Sequence, residues 1–161
     1  MGTTHLEIPA GPYKLLVELS ETGIASLLIE SPDYPGVRSD ADSSPVDTGL
    51  AERVRAQLIE YFAGTRKVFD LPLDLQGTEF RRRVWRKLCA VPYGVTITYG
   101  ALAARAGNPG AARAVGSAMA TNPVPIIVPC HRVVAAGGRL GGYTGGLDIK
   151  RYLLRLEGLD V

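Results

Sequence analysis

Cys130 is followed directly by His131 and Arg132 and preceded by Pro129, at the end of the apolar run Ile126-Ile127-Val128. A cysteine set where a buried strand-like segment breaks at a proline has a rigid, water-poor seat, which a nucleophilic thiolate needs. Thiolate supply alone is a weak lever. At the reference pKa of about 8.5, roughly 3% of a free thiol is ionised at pH 7, so full ionisation gains about 30-fold, or about 2 kcal/mol. Further help must come from a base and from a group that stabilises whatever leaves. Glu157 stands on one line of the last helix with Ile149 and Leu153, and a carboxylate on an apolar face needs a partner. A Cys-His hydrolase is one reading of this set. Its histidine need only meet the cysteine in space, however, and adjacency in sequence usually points the two side chains apart.

The elements around these groups follow from pattern. Thr98 caps a helix over residues 99–106, Gly107-Asn108-Pro109-Gly110 turns, and residues 111–120 form a second helix, which is the layout of a helix-turn-helix. In that second helix Ala111, Ala112, Ala114, Gly116, Ser117, Ala118 and Ala120 are nearly all small, and Arg113 is the one long charged side chain. Such a helix either packs tightly in a core or probes a groove with Arg113 as its reaching group. Asn122-Pro123-Val124-Pro125 then force an extended path. Beyond the cysteine, Gly137-Gly138, Gly141-Gly142 and Gly145-Gly146 surround Tyr143 and Thr144, a glycine-rich loop able to fold over a ligand. No Gly-Lys-Ser/Thr follows, so it is not a phosphate-binding P-loop. The last helix buries Ile149, Tyr152, Leu153 and Leu156. Upstream, Thr78 caps a helix with an apolar face of Phe80, Val84 and Leu88, and the second thiol, Cys89, reads as core at its end. Arg81, Arg82, Arg83, Arg86 and Lys87 crowd the other side of that helix, either as a solvated face or as a phosphate-facing one.

Toward the N-terminus, residues 15–19 and 24–29 are apolar runs separated by Glu21-Thr22-Gly23, a hairpin signal. Residues 31–48 turn to Ser, Asp, Pro and Gly and read as a mobile loop. Leu50, Val54, Leu58 and Tyr61-Phe62 recur at helical spacing up to Gly64. The break near residues 67–75 divides the chain into a structural sheet and helix domain over residues 1–70 and a mainly helical domain over residues 71–161, an α/β chain of the α+β kind.

Composition bounds the function classes. With 161 residues, 46% hydrophobic and 21% charged, the chain is long enough for a proper core and unlike a disordered one. A net charge of +2 does not by itself announce a nucleic-acid partner, so such a role must rest on where the arginines lie. Two distant cysteines and no charged-then-apolar leader point to a reducing, cytoplasmic setting, and no run approaches the roughly 20 apolar residues that span a bilayer. Cys89, Cys130, His5 and His131 lack metal-ligand spacing, so no metal is expected.

The stretch Asn122-Pro-Val-Pro-Ile-Ile-Val-Pro-Cys130-His-Arg-Val resembles the active-site signature of the 6-O-alkylguanine-DNA alkyltransferases. The likeness extends to Pro92-Tyr93-Gly94, Thr98-Tyr99, Gly107-Asn108-Pro109, Ala112-Arg113-Ala114-Val115-Gly116, Tyr143-Thr144-Gly145-Gly146 and Leu153-Leu154 through Glu157-Gly158. Chance agreement over so many spaced elements is negligible. Residues 1 to about 70 carry a generic likeness to the family's variable N-terminal domain. The zinc ligands that some members place there have no counterpart among these cysteines.

The resemblance implies a repair protein that flips an alkylated guanine out of duplex DNA and moves the alkyl group irreversibly onto Cys130, without a cofactor. It leaves 4-O-alkylthymine open as a further substrate. By the same analogy His131 acts through a water as the base, Glu157 orients the imidazole, and Tyr99 donates to the guanine as charge develops. Arg113 fills the space of the flipped base. Ala112, Ala114, Gly116, Thr98 and Tyr99 face the minor groove of DNA, which small residues can enter closely. Met119, Val133, Tyr143, Thr144 and Gly145 shape the guanine pocket, with Thr144 where relatives usually carry Ser or Gly, and Asn122 braces the turns before the cysteine. A thioether at Cys130 offers water no ready leaving group, so one monomer repairs one lesion. A lesion-binding module of the alkyltransferase-like kind would keep the helix-turn-helix and lack the acceptor cysteine, which is present here.

Overall fold

The computed structural model describes residues 3–31, 48–143 and 145–161, with the side chain of residue 48 left aside. The expected loop over residues 31–48 therefore lies almost wholly outside the described residues, as does Thr144. The chain forms two compact units, Met1–Leu75 and Gln76–Val161.

In the first unit, β1 (Thr4–Ala10), β2 (Tyr13–Leu19) and β3 (Ile24–Glu30) form an antiparallel sheet in the order β1-β2-β3. The register pairs Leu6 with Val17 and Val17 with Leu27, and Ile8 with Leu15. The alternating residues Leu6, Ile8 and Ala10 and Leu15, Val17 and Leu19 are thus buried on one face. Helix α1 (Thr48–Phe62) covers the sheet with Leu50, Val54, Leu58 and Tyr61. The two strands and the helix expected from pattern are present, and β1 is an addition. Its Pro9 weakens the strand signal, yet an edge strand tolerates a residue that cannot donate to the ladder. The unit closes where Ile24 donates to Pro72 O at 2.9 Å and Asp74 N donates to Ile24 O at 2.9 Å.

The second unit starts at α2 (Glu79–Cys89), whose N-cap Thr78 accepts from Arg81 N at 3.2 Å. Val84, Trp85 and Leu88 are its buried stripe. Trp85 Nε1 donates to Ala118 O at 2.9 Å and so ties α2 to the small-residue helix. Cys89 is exposed, which corrects its reading as core: the buried stripe ends at Leu88, and the next position turns outward. Strand β4 (Ile97–Thr98) runs into α3 (Tyr99–Arg105), with Thr98 Oγ1 accepting from Ala101 N at 3.1 Å. The turn leads into α4 (Ala112–Ala120), which completes the helix-turn-helix. A short strand β5 (Val133–Val134) lies parallel to β4, pairing Ile97 with Val133 and Thr98 with Val134. This two-residue ladder fixes the start of α3 beside the chain that leaves the cysteine. Helix α5 (Leu147–Leu156) closes the unit with Ile149, Lys150, Leu153 and Leu154 buried, whereas Tyr152 and Leu156 are half-buried.

Two expectations about the path into the cysteine are corrected. Residues 122–128 are neither extended nor a strand but a compact turn. Asn122 Nδ2 donates to Val128 O at 2.9 Å, Asn122 Oδ1 accepts from Val124 N at 3.0 Å, and Val128 N donates to Val124 O at 2.9 Å. The prolines exclude helix here, but a side chain that satisfies both arms of a turn outweighs their extended preference. Ile126 sits inside the turn at φ 76°, a left-handed conformation that costs a β-branched residue of the order of 1–3 kcal/mol.

A pocketed cysteine beside the helix-turn-helix

Cys130 opens a short 3-10 turn, Cys130–Arg132, in which Cys130 N donates to Val128 O at 2.8 Å and Arg132 N to Pro129 O at 3.0 Å. The turn sends successive side chains different ways. Cys130 lines a cavity of about 260 Å³ together with Tyr99 from α3, Gly116, Met119 and Ala120 from α4, and Gly142 and Tyr143 from the glycine-rich loop. His131 and Arg132 point instead into the core toward Glu157.

Glu157 caps α5 and is buried with four hydrogen bonds to its carboxylate. His131 Nε2 lies 2.6 Å from Oε2, Arg132 donates from Nε to Oε1 at 2.9 Å and from Nη2 to Oε2 at 3.0 Å, and Gly94 N donates to Oε1 at 3.0 Å. Gly94 takes φ 78°, and a Cβ there would stand 3.1 Å from Glu157 O, so the close approach of this turn requires glycine. Arg132 Nη1 also donates to Val91 O at 2.7 Å. Burial pushes the Glu157 carboxyl up, but the bonds from His131 and Arg132 outweigh it and hold the group well below the usual carboxylate range. Burial holds His131 below its ordinary value against the pull of Glu157, so the imidazole is neutral. Against an ionised Glu157 its proton sits on Nε2, which leaves the lone pair on Nδ1.

Around the sulfur the balance is different. Burial pushes the Cys130 thiol up, and hydrogen bonds from Asn122 and Tyr143 together with the Lys150 charge pull it back only in part. The resting group is a thiol, and ionisation must be assisted. Burial also raises the Tyr99 phenol, so that it keeps its proton and remains a donor at the cavity wall. Gly141 comes so near that a Cβ would lie 3.0 Å from Tyr99 Oη.

The structure brings Cys130, Tyr99, Gly116, Met119 and Tyr143 to one cavity, with Asn122 bonded to the turn beneath it. Val133 and Gly145 do not line it: Val133 offers its carbonyl to Lys150 at 2.7 Å, and Gly145 packs on Ile149 and Tyr143. Arg113 and Ala114 stand exposed on α4, Ala112 is half-buried beside them, and Thr98 is half-buried as a helix cap. Two residues at the site escape sequence reasoning. Arg132 forms the main ion pair of Glu157, and the signal was available, since a carboxylate on an apolar face called for a partner and two basic residues follow the cysteine. Lys150 is completely buried and donates to the carbonyls of Val133, Leu140 and Gly142, although on α5 it reads as a surface lysine.

Fold and site together define a two-unit α+β protein whose C-terminal unit combines a helix-turn-helix with a cavity that holds a cysteine. The chain belongs to the 6-O-methylguanine DNA methyltransferase family: the family's DNA binding domain matches residues 79–159 and its ribonuclease-like domain residues 4–75. The methylated-DNA–protein-cysteine methyltransferase of Mycolicibacterium paratuberculosis is 50% identical over 145 residues, which cover 86% of this chain and 88% of that protein. That of Methanosarcina acetivorans is 58% identical over 102 residues, covering 63% and 65%. Among solved structures, the Mycobacterium tuberculosis O6-methylguanine methyltransferase superposes with a TM-score of 0.82 at 40% identity, covering 97% of this chain and 93% of that one. The Mycobacterium tuberculosis OGT in complex with DNA gives 0.77 at 42% identity, covering 97% and 92%.

Proposed function

We infer that the protein reverses alkylation of guanine in DNA by moving the alkyl group from the 6-oxygen to Cys130, in one irreversible step per molecule. The observation that carries this reading is the buried thiol opening onto a cavity walled by the second helix of the helix-turn-helix, in a chain of this family. Helix α4 enters the minor groove of duplex DNA as a monomer's single reading element, the damaged base rotates into the cavity, and Arg113 takes up the space it leaves. Small side chains at Ala112, Ala114 and Gly116 let the backbone approach.

Inside the cavity the chemistry divides between two groups. Neutral His131, held by Glu157, receives the Cys130 proton through a water at Nδ1, and the imidazolium that forms is balanced by the ionised carboxylate. Sulfur attacks the alkyl carbon, the bond from that carbon to the 6-oxygen breaks, and the guanine leaves with the bonding pair. Tyr99 donates to it as the charge develops. The thioether has no group that water displaces readily, so no turnover follows. No described helix is long and apolar enough to cross a membrane, and we place the protein in the cytoplasm, associated with the nucleoid in a bacterium or archaeon.

The test is stoichiometry. Duplex DNA carrying a labelled methyl on guanine should load one equivalent of label per protein and then stop, and Cys130→Ala should bind the same DNA while loading none. Continued turnover, or label on the Ala variant, would contradict the proposal.

A further inference from the structure

We propose that Lys150 positions the nucleophile: its ammonium pins the glycine-rich wall of the cavity to the strand after the cysteine and supplies the counter-charge for the Cys130 thiolate. The inference rests on Cys130 as the acceptor and adds a residue to its machinery.

A fully buried lysine is rare unless its charge is used, because burial of an unpaired ammonium is costly. Here no carboxylate pairs with it among the described residues. Its three donors go to backbone carbonyls: Val133 O on β5 at 2.7 Å, Leu140 O, and Gly142 O at 3.1 Å. Two of these belong to the glycine-rich loop, and Gly142 itself lines the cavity beside Cys130. The third lies three residues after Cys130. One side chain therefore joins the two walls between which the thiol sits. Glycines give the loop no side chains with which to fix itself, so an external clamp is needed for a defined wall. The carbonyls satisfy the three N–H groups but carry no full charge, which leaves the positive field available to an anion nearby.

The groups that face Cys130 are Tyr99 on α3, Asn122 in the turn, Tyr143 on the loop, His131 next in chain and Lys150 on α5. Tyr99 keeps its proton, Asn122 does not titrate, and His131 is neutral with its Glu157 partner already paired to Arg132. Lys150 is the one cation in this set, and the pull between it and the thiol is mutual. Burial lowers Lys150 to about 8, so it remains mainly charged at pH 7.

The experiment measures Cys130 ionisation without DNA, so that its failure and failure of the repair reading are separate results. Iodoacetamide modification of the whole chain is followed from pH 6 to 10 by mass spectrometry of the Cys130 peptide, with exposed Cys89 as an internal reference. Lys150→Gln keeps an N–H donor and removes the charge. Its Cys130 midpoint should rise by about one pH unit, a roughly tenfold slower reaction on the acid side, while Cys89 is unmoved. Lys150→Arg keeps the charge and should hold the midpoint near that of the parent. Amide exchange of residues 137–146 should quicken in Lys150→Met. An unmoved midpoint in Lys150→Gln, or an equal rise in Lys150→Arg, would overturn the counter-charge, and unchanged exchange in Lys150→Met would overturn the clamp.

Discussion

At the scale of single residues, the site separates two tasks that a shorter Cys-His pair would merge. Cys130 faces the cavity while its neighbour His131 faces the core, so the base is reached from the thiol by way of solvent rather than by direct contact. Glu157 carries both basic neighbours, and its removal illustrates the asymmetry of buried ion pairs: Glu157→Gln strands the Arg132 guanidinium without its anion. We expect a loss of about 3–5 kcal/mol in chemical denaturation, together with loss of alkyl transfer. A loss below about 1 kcal/mol would mean that Arg132 finds another partner. Cys130, His131 and Glu157 were legible in the sequence, by motif and by the rule that a buried carboxylate needs a partner. Lys150 was not, because nothing in a helical pattern distinguishes a lysine that covers apolar surface with its stem from one that buries its ammonium among carbonyls from a distant loop.

At the scale of elements, the helix-turn-helix is built by local signals that a sequence carries openly: Thr98 as a cap, the Gly-Asn-Pro-Gly turn, and the small face of α4. The short ladder of β4 and β5 was not legible. Two-residue strands leave no periodicity, and their pairing spans residues 97–134. The turn over residues 122–128 misled for a related reason, since proline statistics describe a lone backbone and the Asn122 side chain overrode them. Exposed Arg113, the long side chain on α4, gives the element its test. Arg113→Ala should slow repair in duplex DNA at least tenfold, as loss of a few kcal/mol of base-flipping support would. Transfer from the free alkylated base should stay within about twofold. Equal losses in both assays would remove the flipping role from this helix.

At the scale of the whole molecule, stability should follow pH in a direction set by the buried groups. His131 is held below its ordinary value, so below about pH 6.5 the unfolded chain takes up a proton that the folded one refuses, and stability falls. Glu157 is held low as well; the stability it contributes is present above the unfolded value of about 4.3 and is lost as pH falls toward the folded one. Lys150 acts in the alkaline range. Between about 8 and 10.5 the unfolded chain retains a proton that the folded one has lost, so stability rises with pH there. Thermal unfolding followed through Trp85, the single tryptophan and a core residue of the second unit, should give a midpoint that drops steadily from pH 7 to pH 4. A level midpoint over that range would contradict the assigned charge states.

The central claim concerns one sulfur atom, and the mass of the peptide that contains it is the most direct measurement. After incubation with duplex DNA bearing 6-O-methylguanine, the Cys130 peptide should be heavier by one CH2 in every repaired molecule, while the Cys89 peptide is unchanged. Repaired DNA beside an unmodified Cys130 peptide would contradict the account.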